Sequence, residues 1–132
     1  TECQRHASSA FGESLRVASD ALEIDGDLKT FRRISESGKI REGHFCPNCG
    51  VRIVHGTAGS EMVNVKAGTL DDARWLVPAG HIWTRSRQAF VRIGSDELQY
   101  SSQPDDAYAA LAERWREMLC RPNWRGVDGL EY

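Results

Sequence analysis

The chain has 132 residues, enough for one domain with an ordinary core and no obligatory disulfides. Hydrophobic residues make up 40% and charged residues 27%, which is the composition of a soluble globular protein. A net charge of -2 argues against nucleic acid bound by bulk charge, and no apolar run is long enough to span a membrane.

Thr1–Phe11 is polar, small and irregular, and carries Cys3 and His6. Glu13–Ala18 alternates, with Leu15 and Val17 on one side and Ser14 and Arg16 on the other, which is strand period. Ser19–Leu22 reads as a turn or a short helical piece, and Asp25-Gly26-Asp27 as a turn. Leu28–Ile34 is a strand that Ser35–Gly38 breaks. Lys39–Phe45 and the β-branched Val51–His55 flank Cys46-Pro47-Asn48-Cys49-Gly50. Gly56–Ser60 is a small-residue loop and Glu61–Lys66 another strand, with Val63 and Val65 on one face. Thr69 or Asp71 caps one helical turn in Gly68–Asp72. Val77–Gly80 is a loop, and His81–Arg85 and Gln88–Ile93 are short strands. Six to eight short strands with turns between them predict an antiparallel β domain over residues 1–132.

The period then changes. Ser102–Asp105 resembles a capping box with Pro104 in the first turn. Tyr108, Leu111, Ala112, Trp115, Met118 and Leu119 recur at helical spacing and predict one amphipathic helix over about 103–120, ending before Pro122. Its apolar face covers the sheet or serves an oligomer contact. The fold class is therefore mainly β, with one C-terminal helix.

Cys46 and Cys49 carry the strongest chemical signal. Their Cys-x-x-Cys spacing at a hairpin tip lets two thiolates reach one tetrahedral ion, with Zn–S about 2.3 Å. Pro47 presets the turn and Gly50 supplies the left-handed residue that ends it. A redox pair is disfavoured, because strand rather than helix follows Cys49. Cys3 and His6 have Cys-x-x-His spacing, so Cys3, His6, Cys46 and Cys49 could form one site, with Cys3 as a free thiol near a frayed end the alternative. Four scattered cysteines fit a reducing, cytoplasmic setting and metal or thiol chemistry better than disulfides. His44, His55 and His81 are isolated. His81, at a strand start after a Pro-Gly loop, is the one placed as a binding residue is, although a lone His is more often structural. Asp71-Asp72 reads as a turn, with acid/base work the alternative. Cys120 reads as a core or surface thiol, and the Trp residues serve a core and one pocket.

The segment Cys3–Phe11, the Phe45-Cys46-Pro47-Asn48-Cys49-Gly50 knuckle, and Gly68-Thr69-Leu70-Asp71-Asp72 followed by Pro78 and His81-Ile82 come in an order that resembles the glutathione-dependent formaldehyde-activating enzyme family. The resemblance runs from Thr1 to about Phe90, where the family often has Trp. It implies a mostly β zinc domain of folded sheets and up to two Zn2+ sites. Cys46 and Cys49 would be two ligands of a structural zinc. Cys3 would be the last cysteine of a Cys-x-Cys-x-x-Cys motif holding a catalytic zinc. The other ligands would lie upstream of Thr1, so the chain is expected to extend N-terminally, with a metal-free inactive copy the alternative. The resemblance also implies a carbon–sulfur lyase acting on glutathione and formaldehyde, with Cys3 and His81 at its centre. A zinc-stabilised binding module or a degenerate member are the other readings, and oligomeric state is left open.

Overall fold

The computed structural model describes residues 1–35 and 38–120, in two compact units: residues 12–73, and residues 1–11 with 74–120. The region from Arg121, including Trp124, and part of the Ser35–Gly38 break lie outside the described residues.

The first unit is one antiparallel sheet. Its strands are β1 (Ser14–Ala18), β2 (Lys29–Ile34), β3 (Ile40–Phe45), β4 (Arg52–Thr57) and β5 (Met62–Lys66), in the spatial order β1-β5-β4-β3-β2. These are the alternating and β-branched segments of the sequence. β4 lies at the centre and is the best buried, with Val54 3% exposed, because the middle strand of an open sheet loses most surface to its neighbours. β1 pairs β5 with Val17 opposite Val63 and Leu15 opposite Val65, so the apolar residues of the two strands share a face. Gly26 takes φ +91° in the predicted turn. The small-residue loop is shorter than its composition suggests, because β4 continues to Thr57 and Ala58 N–H bonds the Ile40 carbonyl at 3.1 Å.

The second unit is built differently. Thr1–Phe11 is not irregular throughout: Glu2–Ala7 forms helix α1. Glu2 in its first turn and Arg5 and His6 in its last oppose the helix dipole correctly, a charge signal that hydrophobic periodicity does not register. Gln4 Nε2 donates to the carbonyls of Ala10 and Ser86, tying the segment to the later part of the chain.

The predicted strand His81–Arg85 is cut short. Only Gly80–His81 forms β6, because Trp83 enters the left-handed region at φ 58° and Thr84–Ser86 turns into a 3₁₀ segment. Gln88–Ile93 forms no strand, and its Val91 N–H closes a turn onto the Gln88 carbonyl. The partner of β6 is instead β7 (Leu98–Gln99), and the pairing is parallel, whereas the sequence predicts antiparallel strands throughout. Likewise Thr69 and Asp71 cap nothing: the 3₁₀ turn Ala67–Thr69 has no side-chain cap, and Thr69 Oγ1 donates back to the Lys66 carbonyl.

Helix α2 runs over Ala109–Leu119 and starts later than the predicted capping box at Ser102. Ala107 and Tyr108 have φ 54° and 75°, which no right-handed helix can include. The cap comes from Asp106, whose carboxylate accepts from the N–H groups of Tyr108 and Ala110 at 3.0 and 2.9 Å. Trp115 meets Trp75 with ring centroids 6.2 Å apart, and Met118 is buried. Leu111 lies against Gly80: a Cβ built there would stand 2.6 Å from Leu111 Cδ2 and 2.7 Å from the Leu98 carbonyl oxygen.

β6 can thus approach β7 only because residue 80 has no side chain. Gly80→Ala should lower stability by about 1–3 kcal/mol, read as a lower midpoint in urea unfolding, because backbone on one side cannot yield. An unchanged midpoint would show that the β6–β7 approach is looser than this.

Candidate functional site

Two groups of predicted residues are positioned by the fold. The first is the tip of the β3–β4 hairpin. The register shifts between His44 and Phe45, and the chain then turns through Pro47-Asn48-Cys49. Cys46 N–H bonds the Val51 carbonyl and Gly50 N–H bonds the Cys46 carbonyl, both at 2.9 Å. Gly50 takes φ +75°, the left-handed conformation expected of it. The backbone N–H of Cys49, then that of Asn48, and then the Cys49 thiol bond the Cys46 sulfur and hold its pKa below the ordinary thiol value. N–H groups aimed at one sulfur favour thiolate, the form that binds metal. By its donor chemistry, the Cys46/Cys49 pair fits half of a tetrahedral thiolate site.

Among the described residues, no group of three or more His, Cys, Asp or Glu side chains is arranged to hold a metal ion. All four cysteines are free thiols. Cys3 lies exposed on α1, one helical turn before His6, and Cys120 lies exposed just after α2. Asp71 lies exposed in a bend, and Asp72 is exposed just after it. His44 Nδ1 meets Thr30 Oγ1 at 3.1 Å across β2 and β3. His55 sits half-buried on β4, and its carbonyl accepts from Asn64 Nδ2 at 3.2 Å.

The second group centres on His81. Parallel pairing sets Gly80 opposite Leu98 and His81 opposite Gln99. Tyr100 N–H bonds the His81 carbonyl at 2.8 Å, and Thr84 donates to the Tyr100 carbonyl from both its N–H and its hydroxyl at 3.0 Å. The His81 backbone is therefore tied to residue 100 directly and again through Thr84. Its Nε2 hydrogen-bonds Glu97 Oε2, while Glu97 Oε1 accepts the Gly94 N–H at 3.2 Å. The His81 hydrogen bond, then the Gly94 N–H, with the Arg114 charge adding to them, hold the Glu97 carboxyl below the usual range. Arg114, on α2, is anchored by a 2.8 Å bond to the Asp96 carbonyl. Two residues after His81, Trp83 is 40% exposed with the Arg85 guanidinium 4.8 Å over its ring. A histidine held by an ionised carboxylate can accept and return a proton at its other nitrogen.

Glu97 carries no local sequence signal, since it stands in a turn sixteen residues after its partner. Only the β6–β7 pairing brings the two together.

In protein lacking metal, Cys46 should alkylate with iodoacetamide along a pH profile whose midpoint lies below that of a free thiol. Thiolate is then present, and reaction proceeds, at lower pH. The check is mass-spectrometric labelling of the Cys46 peptide across pH; a midpoint at the free-thiol value would contradict the N–H cradle.

A protein-family profile described as glutathione-dependent formaldehyde-activating enzyme matches residues 1–86. No curated protein matches the chain. Among the described residues, no helix is long and apolar enough to cross a membrane. The matched span takes in Cys3, the Cys46/Cys49 knuckle and His81, and more than half of the chain, so this protein belongs to the glutathione-dependent formaldehyde-activating enzyme family.

Proposed function

We propose that the chain works as a zinc-dependent carbon–sulfur lyase on a thiol–aldehyde adduct such as S-hydroxymethylglutathione. The observation that carries this reading is the family match over residues 1–86, with His81 inside it and hydrogen-bonded to Glu97. In the addition direction, the sulfur of the thiol bonds the aldehyde carbon, and the thiol proton ends on the former carbonyl oxygen. Cleavage reverses each change. The reaction therefore needs a group that takes up and returns one proton, and His81 supplies it.

Cys46 and Cys49 would hold a structural zinc with a Cys-x-Cys pair that the family pattern places upstream of Thr1. Cys3 would be a ligand of the catalytic zinc, with its partners also upstream. Bound there, zinc supplies Lewis acidity toward the aldehyde oxygen and favours the thiolate of the substrate. Asp71 and Asp72 are exposed and suit substrate orientation rather than proton transfer. The partner is a small thiol and an aldehyde in the cytoplasm, with no role for nucleic acid or membrane.

A second reading is a zinc-stabilised binding module without catalysis. It needs only the Cys46/Cys49 site, whose two sulfurs the turn already brings together.

Full-length zinc-loaded protein should accelerate adduct formation from glutathione and formaldehyde, followed by NMR, and His81→Asn should lower kcat about a hundredfold. Cys3→Ser should remove one zinc equivalent and the activity, whereas Cys46→Ser should remove the structural zinc and lower stability. A wild-type rate equal to that in buffer would overturn the lyase reading. Cys3→Ser with unchanged zinc content would support the binding module.

A further inference from the structure

We propose that Glu97 is a positioning residue for His81: its carboxylate holds the imidazole through Nε2 and leaves Nδ1 as the nitrogen that exchanges a proton with substrate. This rests on the reading of His81 as the proton-transfer group.

The placement has several independent supports. His81 could not meet Glu97 unless β6 lay close to β7, and the absence of a side chain at Gly80 permits that approach. The His81 backbone is fixed by Tyr100, so the ring has only its side-chain torsions left to set. Glu97 is itself fixed, with Gly94 N–H on one oxygen and His81 on the other. Arg114, tied to the Asp96 carbonyl, adds a positive charge that keeps the carboxyl ionised. An ionised carboxylate accepts only, so Nε2 must carry the hydrogen. In the neutral ring Nδ1 then bears the lone pair. The His81 and Glu97 side chains remain 29% and 38% exposed, open enough for a small substrate to reach the pair. Trp83, two residues after His81, keeps a left-handed backbone that its own N–H bond to the Ser102 carbonyl at 3.2 Å helps to hold. Such backbone costs energy and is characteristic of segments whose shape matters to a site.

The alternative is that the pair only clips β6 to β7. The two roles separate in turnover and in proton NMR of the full-length zinc-loaded protein. A deshielded imidazole N–H resonance, assigned by its loss in His81→Ala, should vanish in Glu97→Ala and weaken in Glu97→Gln. Glu97→Ala should lower kcat about tenfold at unchanged KM, the scale expected for a group that orients a reacting histidine. The double variant His81→Ala/Glu97→Ala should be no slower than His81→Ala alone, because Glu97 acts only through His81. Wild-type kcat in both Glu97 variants, or losses that multiply in the double variant, would overturn the proposal, as would a resonance that survives Glu97→Ala. Failure of the wild-type protein to outpace buffer would instead sink the lyase reading, and the resonance would still decide whether Glu97 holds His81.

Discussion

A close backbone approach governs the second unit. With no side chain at Gly80, the Leu98 carbonyl and the Leu111 side chain can press against β6. Two strands of two residues each would not hold alone. They persist because helix α2 lays Leu111 over them and because residues 83–85 bond onto residues 100–102. The His81–Glu97 hydrogen bond depends on that contact, since the same pairing delivers Glu97.

The first unit depends on a different device. Its sheet is joined between β3 and β4 by a turn that both closes the hairpin and gathers N–H groups around a sulfur. Cys46 spends its backbone groups on Val51 and Gly50, closing the hairpin, and its sulfur collects the N–H groups of Asn48 and Cys49. One local conformation thus ends two strands and prepares a thiolate. That economy explains why the knuckle is so compact a sequence motif: every residue from Cys46 to Gly50 is fixed by the same turn.

The parts of the structure that were readable one residue at a time are those whose cause is local. β1 and β5 show their alternation, and the knuckle shows its Pro, spacing and Gly. Leu111, Trp115 and Met118 show their helical period and do face inward. Gln88–Ile93 shows that alternation is only compatibility with a sheet: without a partner no strand forms. Helix α1 escaped because six residues are too few to display an apolar stripe. The Ser102 box is well formed as a motif, yet two left-handed residues at Ala107 and Tyr108 move the helix start to Ala109 and leave the capping to Asp106.

The amino-acid sequence by itself determined the mainly β class, the amphipathic C-terminal helix, the family, and the cysteine pair at a turn, because period, turn chemistry and motif order are written over a few consecutive residues. Only the tertiary structure decided that His81 has a carboxylate partner and that this partner is Glu97. The reason is physical: a parallel pairing between short segments carries no local signature, and its register is fixed by what Gly80, Leu98 and Leu111 leave room for.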